Sequence, residues 1–207
     1  MTTLLATPKV ALIGLDRGWA AAPFDDPAWT IWAPVFTHHR VPRADVWFEL
    51  HGPEWQAQEK AWCQCEGNYQ AWLAQAREPV VMFSPHPAVA HVVPYPLETV
   101  AAAVGPLSMT GTIEWMAALA ITLGATTIGY YGINYTDRHE EYFQRPGADY
   151  WIGYARGRGL DVVLPAGCPL GSGRLPGHYG LNYPPWPLGT HPDEWAEWRA
   201  LMIGQEA

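Results

Sequence analysis

Apolar residues in this chain come in short blocks bounded by turn residues. Lys9–Leu15 (KVALIGL), Trp29–Val35 (WTIWAPV), Asp45–Leu50 (DVWFEL), Pro79–Phe83 (PVVMF), Thr126–Tyr131 (TTIGYY) and Asp161–Leu164 (DVVL) are too short for stable helices. Their β-branched and aromatic content predicts strands, the first buried on both faces. Pro34 predicts the end of the second strand or an edge position. Between 113 and 123 the spacing changes. Ile113, Met116, Ala117, Ala120, Ile121 and Leu123 recur at helical intervals after a Ser108–Thr112 turn, and Gly124 supplies a stop. Three further helical segments are predicted, the first of them as two helices. Glu54–Arg77, broken at Gly67-Asn68, turns Trp62, Tyr69, Trp72 and Leu73 inward; Leu97–Val104 is short; Pro146–Arg158 presents Tyr150, Trp151, Tyr154 and Ala155. The intervening SPHPAVAHVVPYP reads as a proline-spaced extended connection.

Strands alternating with helices predict an α/β domain with a mostly parallel sheet. A mixed sheet is the alternative, because the links among the first three strands are short for helical crossovers. The domain is expected over residues 1–164. A Gly/Pro/Trp-rich extension, 165–207, then packs on it irregularly and closes with a short acidic-aromatic helix, Asp193–Met202. No internal repeat is visible.

Composition narrows the function classes. The 207 residues, 49% hydrophobic, suffice for one full core. A net charge of −8 and the lack of a basic stripe argue against a broad nucleic-acid footprint. No apolar run reaches membrane-spanning length, and the start leads into a strand without a signal-peptide pattern. Three cysteines suit a reducing cytoplasm better than a disulfide scaffold.

Candidate chemistry gathers around Ser108–Tyr135. Ser108, Thr110 and Thr112 place hydroxyls about Gly111 at a helix start, and Gly132-Ile133-Asn134 follows a strand. Helix starts bind anions, and ligands of open α/β sheets bind beyond strand carboxyl ends. Ordinary capping of a buried helix and strand explains the same residues. Glu49 and His51 share one face of a strand end, which suits an acid/base pair or, with His38 or His39, a metal; a satisfied histidine is the plain alternative. Arg145 precedes a helix start and suits a phosphate, or else pairs with Asp149 or Glu141. Cys63-Gln64-Cys65 has the wrong spacing for zinc. Asp25-Asp26 reads as an Asx turn, and Thr136–Gly147 is a polar loop of functional length.

The succession KVALIGL, DDPAWTIWAP, VPRADVWFELH, PVVMF, VPYPLETV, TGTIEWMAALAITLGATTIGYYGINY and EYFQRPGADYWIGYARGRGLDVVLP, over roughly residues 8–176, resembles a family of uncharacterised bacteriophage proteins. The central piece also resembles a wider group containing 6-hydroxymethylpterin pyrophosphokinase-like proteins and bacterial sialyltransferases with a Rossmann-like domain. There the strand ends Gly-x-Asp; here Asn134 stands in place of the Asp. The resemblance implies a Rossmann-like three-layer domain that binds a nucleotide or nucleotide-sugar. It implies phosphate near Thr110, Gly111 and Thr112, a nucleotide contact at the turn that opens with Gly14, ribose or phosphate near Asn134, the acceptor near Glu141 and Tyr142, and His51 as general base with Glu49 beside it; Arg17 and Arg145 join the phosphate-binding candidates on their charge. The turn Gly14-Leu15-Asp16-Arg17-Gly18 departs from the family's Gly-x-x-x-Ser, and Ala33-Pro34-Val35 departs from its Gly-x-Asn. Asp16 would repel an anion unless a metal bridges or Arg17 compensates.

The expectation is therefore a phage-encoded glycosyltransferase working on a nucleotide-activated donor, in the host cytoplasm, with a hydroxylated base in phage DNA as one acceptor. The alternatives are a non-catalytic nucleotide binder, an interaction protein with a degenerate site, and a phosphokinase needing magnesium on Asp16 or Glu141. No dedicated metal site is expected.

Overall fold

A computed structural model describes residues 4–52, 72–87, 89–105, 109–135 and 143–171. Seven strands form one sheet: β1 (Lys9–Ile13), β2 (Trp29–Pro34), β3 (Val46–Glu49), β4 (Val80–Met82), β5 (Val92–Pro94), β6 (Thr127–Tyr131) and β7 (Asp161–Val163). Their order is β5-β4-β3-β2-β1-β6-β7, and every pairing is parallel. The α/β architecture expected from the alternation, Rossmann-like as the resemblance implies, is thus present. The mixed-sheet alternative is not realised: the links after β1 and β2 return through short 3-10 turns, Arg17–Ala21 and Val35–Thr37. Strands this short span less than about 20 Å, so an irregular link can carry the chain back.

Pleat alternation divides the core between two faces. Val10, Leu12, Trp32, Phe48, Val81, Ile128 and Tyr130 pack with α1 (Leu97–Val104), α2 (Thr112–Thr122) and α3 (Arg145–Gly157). Ala11, Ile13, Ile31, Ala33, Trp47, Val80, Met82 and Tyr131 face the other way, with Leu73, Ala76 and Val89. Burial on both sides explains the continuous apolar runs of β1, β2 and β3. Trp32, fully buried, donates its indole N–H to the Leu4 carbonyl at 3.0 Å.

Local signals set the boundaries. Gly124 at φ +87 ends α2, and the Ala125 amide reaches back to the Ala120 carbonyl at 3.0 Å. The Asx turn is present as an Asp26 Oδ1 that accepts the Ala28 amide at 2.8 Å. β5 replaces the expected extended connection. As an edge strand it tolerates Pro94, while the next amide, Tyr95, still bonds the Met82 carbonyl at 2.8 Å. On α3, Tyr150 is exposed, not inward; Ala148, Trp151, Ile152 and Ala155 make the buried stripe. The chain divides into two compact units, Met1–Gly171 and Ser172–Ala207. The second unit, with its expected Asp193–Met202 helix, lies outside the described residues, as does most of Glu54–Arg77 with its Cys63-Gln64-Cys65.

Candidate active site at the carboxyl edge of the sheet

Because all strands are parallel, all their carboxyl ends emerge along one edge. β1 and β6 mark the topological switch: succession runs outward from β1 through β2 to β5, then resumes on its other side with β6. Crevices at such points are where open α/β sheets bind ligands. Gly14, Asn134 and the starts of α2 and α3 belong to this edge.

The turn after β1 is closed against β6. The Gly14 amide donates to Tyr131 O at 2.7 Å and the Asp16 amide to Gly132 O at 2.9 Å. A Cβ on Gly14 would stand 2.2 Å from the Gly132 carbonyl oxygen, so only glycine permits this approach. The Gly14 amide is therefore committed and does not face a ligand. Arg17 is exposed and has no ion-pair partner among the described residues. Beyond β6, Gly132 (φ +68) and Tyr135 (φ +49) both occupy the left-handed region. For tyrosine that conformation costs on the order of 1–2 kcal/mol, strain of a kind concentrated at ligand sites. Asn134, between them, is half-buried and its amide makes no hydrogen bond to the described residues.

The start of α2 holds a residue that sequence reasoning missed. Gly111 is the N-cap, and Glu114 is the third helical residue, fully buried. Thr110, exposed, donates its hydroxyl to Glu114 Oε1 at 3.3 Å. Burial pushes the Glu114 carboxyl up to about 7; its own amide, Thr110, the Gly111 amide and Tyr135 pull the other way. Its Oε2 has no partner in good hydrogen-bond geometry. Thr112 and Gly111 are half-buried at the same turn. The available signal was an acid set three positions after the Gly111 N-cap, inside an apolar run, the spacing of a capping box.

Arg145 opens α3, but its guanidinium is engaged: Nη2 donates to Pro169 O at 2.9 Å and Nε lies 3.6 Å from Asp149 Oδ2. The Gly171 amide in turn donates to Asp149 Oδ1 at 2.8 Å. Glu141, Tyr142 and Ser108 lie outside the described residues.

Glu49 and His51 occupy the exit of β3. Glu49 is buried, and its Oε1 accepts both the His51 backbone N–H (2.9 Å) and ring Nδ1 (2.8 Å). A carboxylate oxygen only accepts, so the Nδ1 that faces it carries a proton. The His51 side chain is 29% exposed, with Phe36 edge-on at 5.4 Å. His38 stacks on Trp72 and bonds the Val35 carbonyl, while His39 accepts from Arg40. Burial, then Arg40 and His38, holds His39 below the ordinary imidazole value. Among the described residues no three His, Cys, Asp or Glu side chains gather as metal ligands, so the metal considered for Glu49 and His51 with His38 or His39 finds no donor set here.

The dyad and the α2 start share the edge without touching. β3 and β6 are separated by three strand spacings, about 14 Å. Glu49, two residues after Trp47, lies on the face opposite α2.

No protein-family model matches the chain, and no curated protein does. Among solved structures, the apo alpha-2,3-sialyltransferase from Campylobacter jejuni superposes with a TM-score of 0.50 at 12% identity, over 98% of each chain. The sialyltransferase CST-II, crystallised with a trisaccharide acceptor and CMP, gives 0.47 at 11% identity, over 78% of this chain and 81% of that one. At such identity the likeness is one of fold: this chain shares a parallel-sheet α/β architecture with the Campylobacter jejuni structure. Among the described residues, no helix is long and apolar enough to cross a membrane.

Proposed function

We propose that the protein is a glycosyltransferase acting on a nucleotide-activated donor bound across the carboxyl edge of the sheet. The observation that carries this reading is the Glu49–His51 dyad at that edge. A buried carboxylate fixes the imidazole tautomer, as a general base requires. The architecture shared with the sialyltransferase supports it. In this reading Asn134 holds the ribose or phosphate. Thr110, Gly111 and Thr112 receive the leaving phosphate, aided by the field of the α2 start, and Arg17 adds an exposed charge. His51 Nε2 takes the acceptor hydroxyl proton as the oxygen attacks the anomeric carbon and the donor's phosphate departs. Attacking oxygen, anomeric carbon and departing oxygen lie within a few ångströms of one another in such a displacement, so the His51 side chain and the sugar between it and the phosphate seat must bridge the about 14 Å that separates the β3 and β6 strands. A hydroxylated base in phage DNA is the acceptor suggested by the sequence resemblance.

The test is a panel of nucleotide-sugars with His51→Ala. Turnover should fall by a factor of about 10² to 10⁴ while donor affinity stays within about twofold. Equal turnover in the variant would remove His51 from the chemistry. A second reading, a nucleotide binder without turnover, is favoured by the closed turn after β1, where the Gly14 and Asp16 amides are consumed by β6 carbonyls. Binding with no turnover in the unmodified protein would select it.

A further inference from the structure

We propose that Glu114 is a positioning residue for the anion seat at the start of α2: it takes up a proton from solution and so reverses its hydrogen bond with Thr110 when a phosphate-bearing ligand binds there. This rests on the reading that the donor phosphate sits at that helix start.

The geometry is a pair wedged between two helix starts. Thr110 Oγ1 and Glu114 Oε1 are 3.3 Å apart. In the first turn of α3, a Cβ on Gly147 would stand 2.7 Å from Thr110 Oγ1 and 2.9 Å from Glu114 Oε1. A Cβ on Gly111 would stand 2.9 Å from Glu114 Oε2, the buried oxygen that lacks a well-placed partner. Glycines at both positions leave the carboxyl room to lie under the turn. Thr110 alone of the pair reaches the surface.

A threonine hydroxyl has one proton to give. When Glu114 is ionised it is acceptor-only, and the Thr110 proton is spent inward. The Thr110 lone pairs then face outward, above a negative charge, and both repel a phosphate. When Glu114 is protonated its own O–H donates to Thr110 Oγ1. The hydroxyl then rotates its proton toward the ligand, and the charge beneath the seat is gone. No bond other than these hydrogen bonds changes, and one proton moves from solvent to Glu114 for each ligand bound.

The surroundings leave Glu114 as the group that titrates. Tyr130 from β6 and Tyr135 beyond it face the carboxyl, and burial holds the Tyr130 phenol far above neutrality. From α3 come the neutral Gln144 side chain, near Gly111, and Arg156, whose charge acts on Tyr130. Arg145 and Asp149, also on α3, pair with each other. Because burial pushes Glu114 up to about 7, the proton is exchanged near neutral pH.

The probe must not titrate in that range, so nucleoside 5′-monophosphate methyl esters of the four common bases are suitable. Their Kd is measured from pH 5.5 to 8.5 on the full chain, its Glu114→Gln form and its Thr110→Val form, with circular dichroism checking the fold of each. In the unmodified protein Kd should rise by about tenfold per pH unit above the midpoint. Calorimetry in buffers of different ionisation enthalpy should register uptake approaching one proton at pH 8. Glu114→Gln, whose amide donates to Thr110 at every pH, should bind at all pH values as the unmodified protein does at low pH. Thr110→Val should bind more weakly and with a shallower slope, since only the repulsion by the ionised carboxyl remains. Carbon NMR of the Glu114 carboxyl should show its midpoint move upward on saturation. Binding with a flat pH profile, or a Glu114→Gln form that keeps the slope, overturns this proposal and leaves the nucleotide seat standing. No binding of any ester at any pH overturns the seat itself, and the proton linkage with it.

Discussion

Replacing Glu114 with Gln should stabilise the protein above neutral pH, which few core substitutions do. The carboxyl is fully buried, and burial lifts it from an ordinary value of 4.5 to about 7. Below about pH 4.5 both the folded and the unfolded chain hold the proton, and there is no differential penalty. Between about 4.5 and 7 the unfolded chain releases it first, so stability falls as pH rises; above about 7 the loss is complete. The gap corresponds to about 3 kcal/mol. Glutamine keeps the shape and a polar contact to Thr110 but has no proton to lose. The stability difference, variant minus unmodified protein, should therefore grow from near zero at pH 4.5 to about 3 kcal/mol at pH 8. In thermal unfolding of a chain this size that is about 6–12 °C. Urea unfolding at pH 4.5, 6 and 8 reads the same quantity, and subtraction cancels every other titrating group. The opposing effect is capping: a carboxylate at the third helical position favours the helix start by about 0.5–2 kcal/mol. A difference that stays constant across the range, or a variant weaker at pH 8, would show that the capping amides outweigh burial and that Glu114 is ionised at neutral pH.

Gly14→Ala forces a Cβ to within 2.2 Å of the Gly132 oxygen, so the β1 turn and β6 exit must part; the urea midpoint should report a loss of about 1–3 kcal/mol, and an unchanged midpoint would mean this turn opens freely. Asn134→Ala should leave that midpoint within about 0.5 kcal/mol, since the amide bonds nothing among the described residues. The same change should weaken nucleotide binding by about tenfold, read by titration calorimetry, if the amide holds the ribose or phosphate.

What could be read from sequence, and what could not, follows from how each feature is encoded. The sheet was legible because a strand buried on both faces must be apolar at every position; Ala11 and Leu12 are neighbours in sequence yet pack on opposite faces. β5 was hidden by Pro94, which an edge strand tolerates on its outward side. The parallel direction of β2 and β3 was obscured because the returning links contain 3-10 turns and no helical period. The inward face of α3 was misjudged at Tyr150 because aromatic character was taken for burial, whereas Ala148 and Ile152 do the packing.

The site divides along the same line. In a wholly parallel sheet every strand exit reaches one edge, so the residues just beyond strands gather there by topology alone. Gly14, His51 and Asn134 could be picked out that way without knowing the strand order. Glu114 could not, because its situation depends on a second helix. Its burial is completed by α3, whose Gly147 comes from beyond β6, and a capping acid on an exposed helix would have had the identical local sequence. The Thr-Gly-Thr-Ile-Glu segment states that an acid caps a helix; only the packing of α3 across it makes that acid a titrating group beneath a surface hydroxyl. Residues whose chemistry is set by the exit of a strand are therefore legible one element at a time, and residues whose chemistry is set by a helix–helix contact are legible only once the fold is assembled.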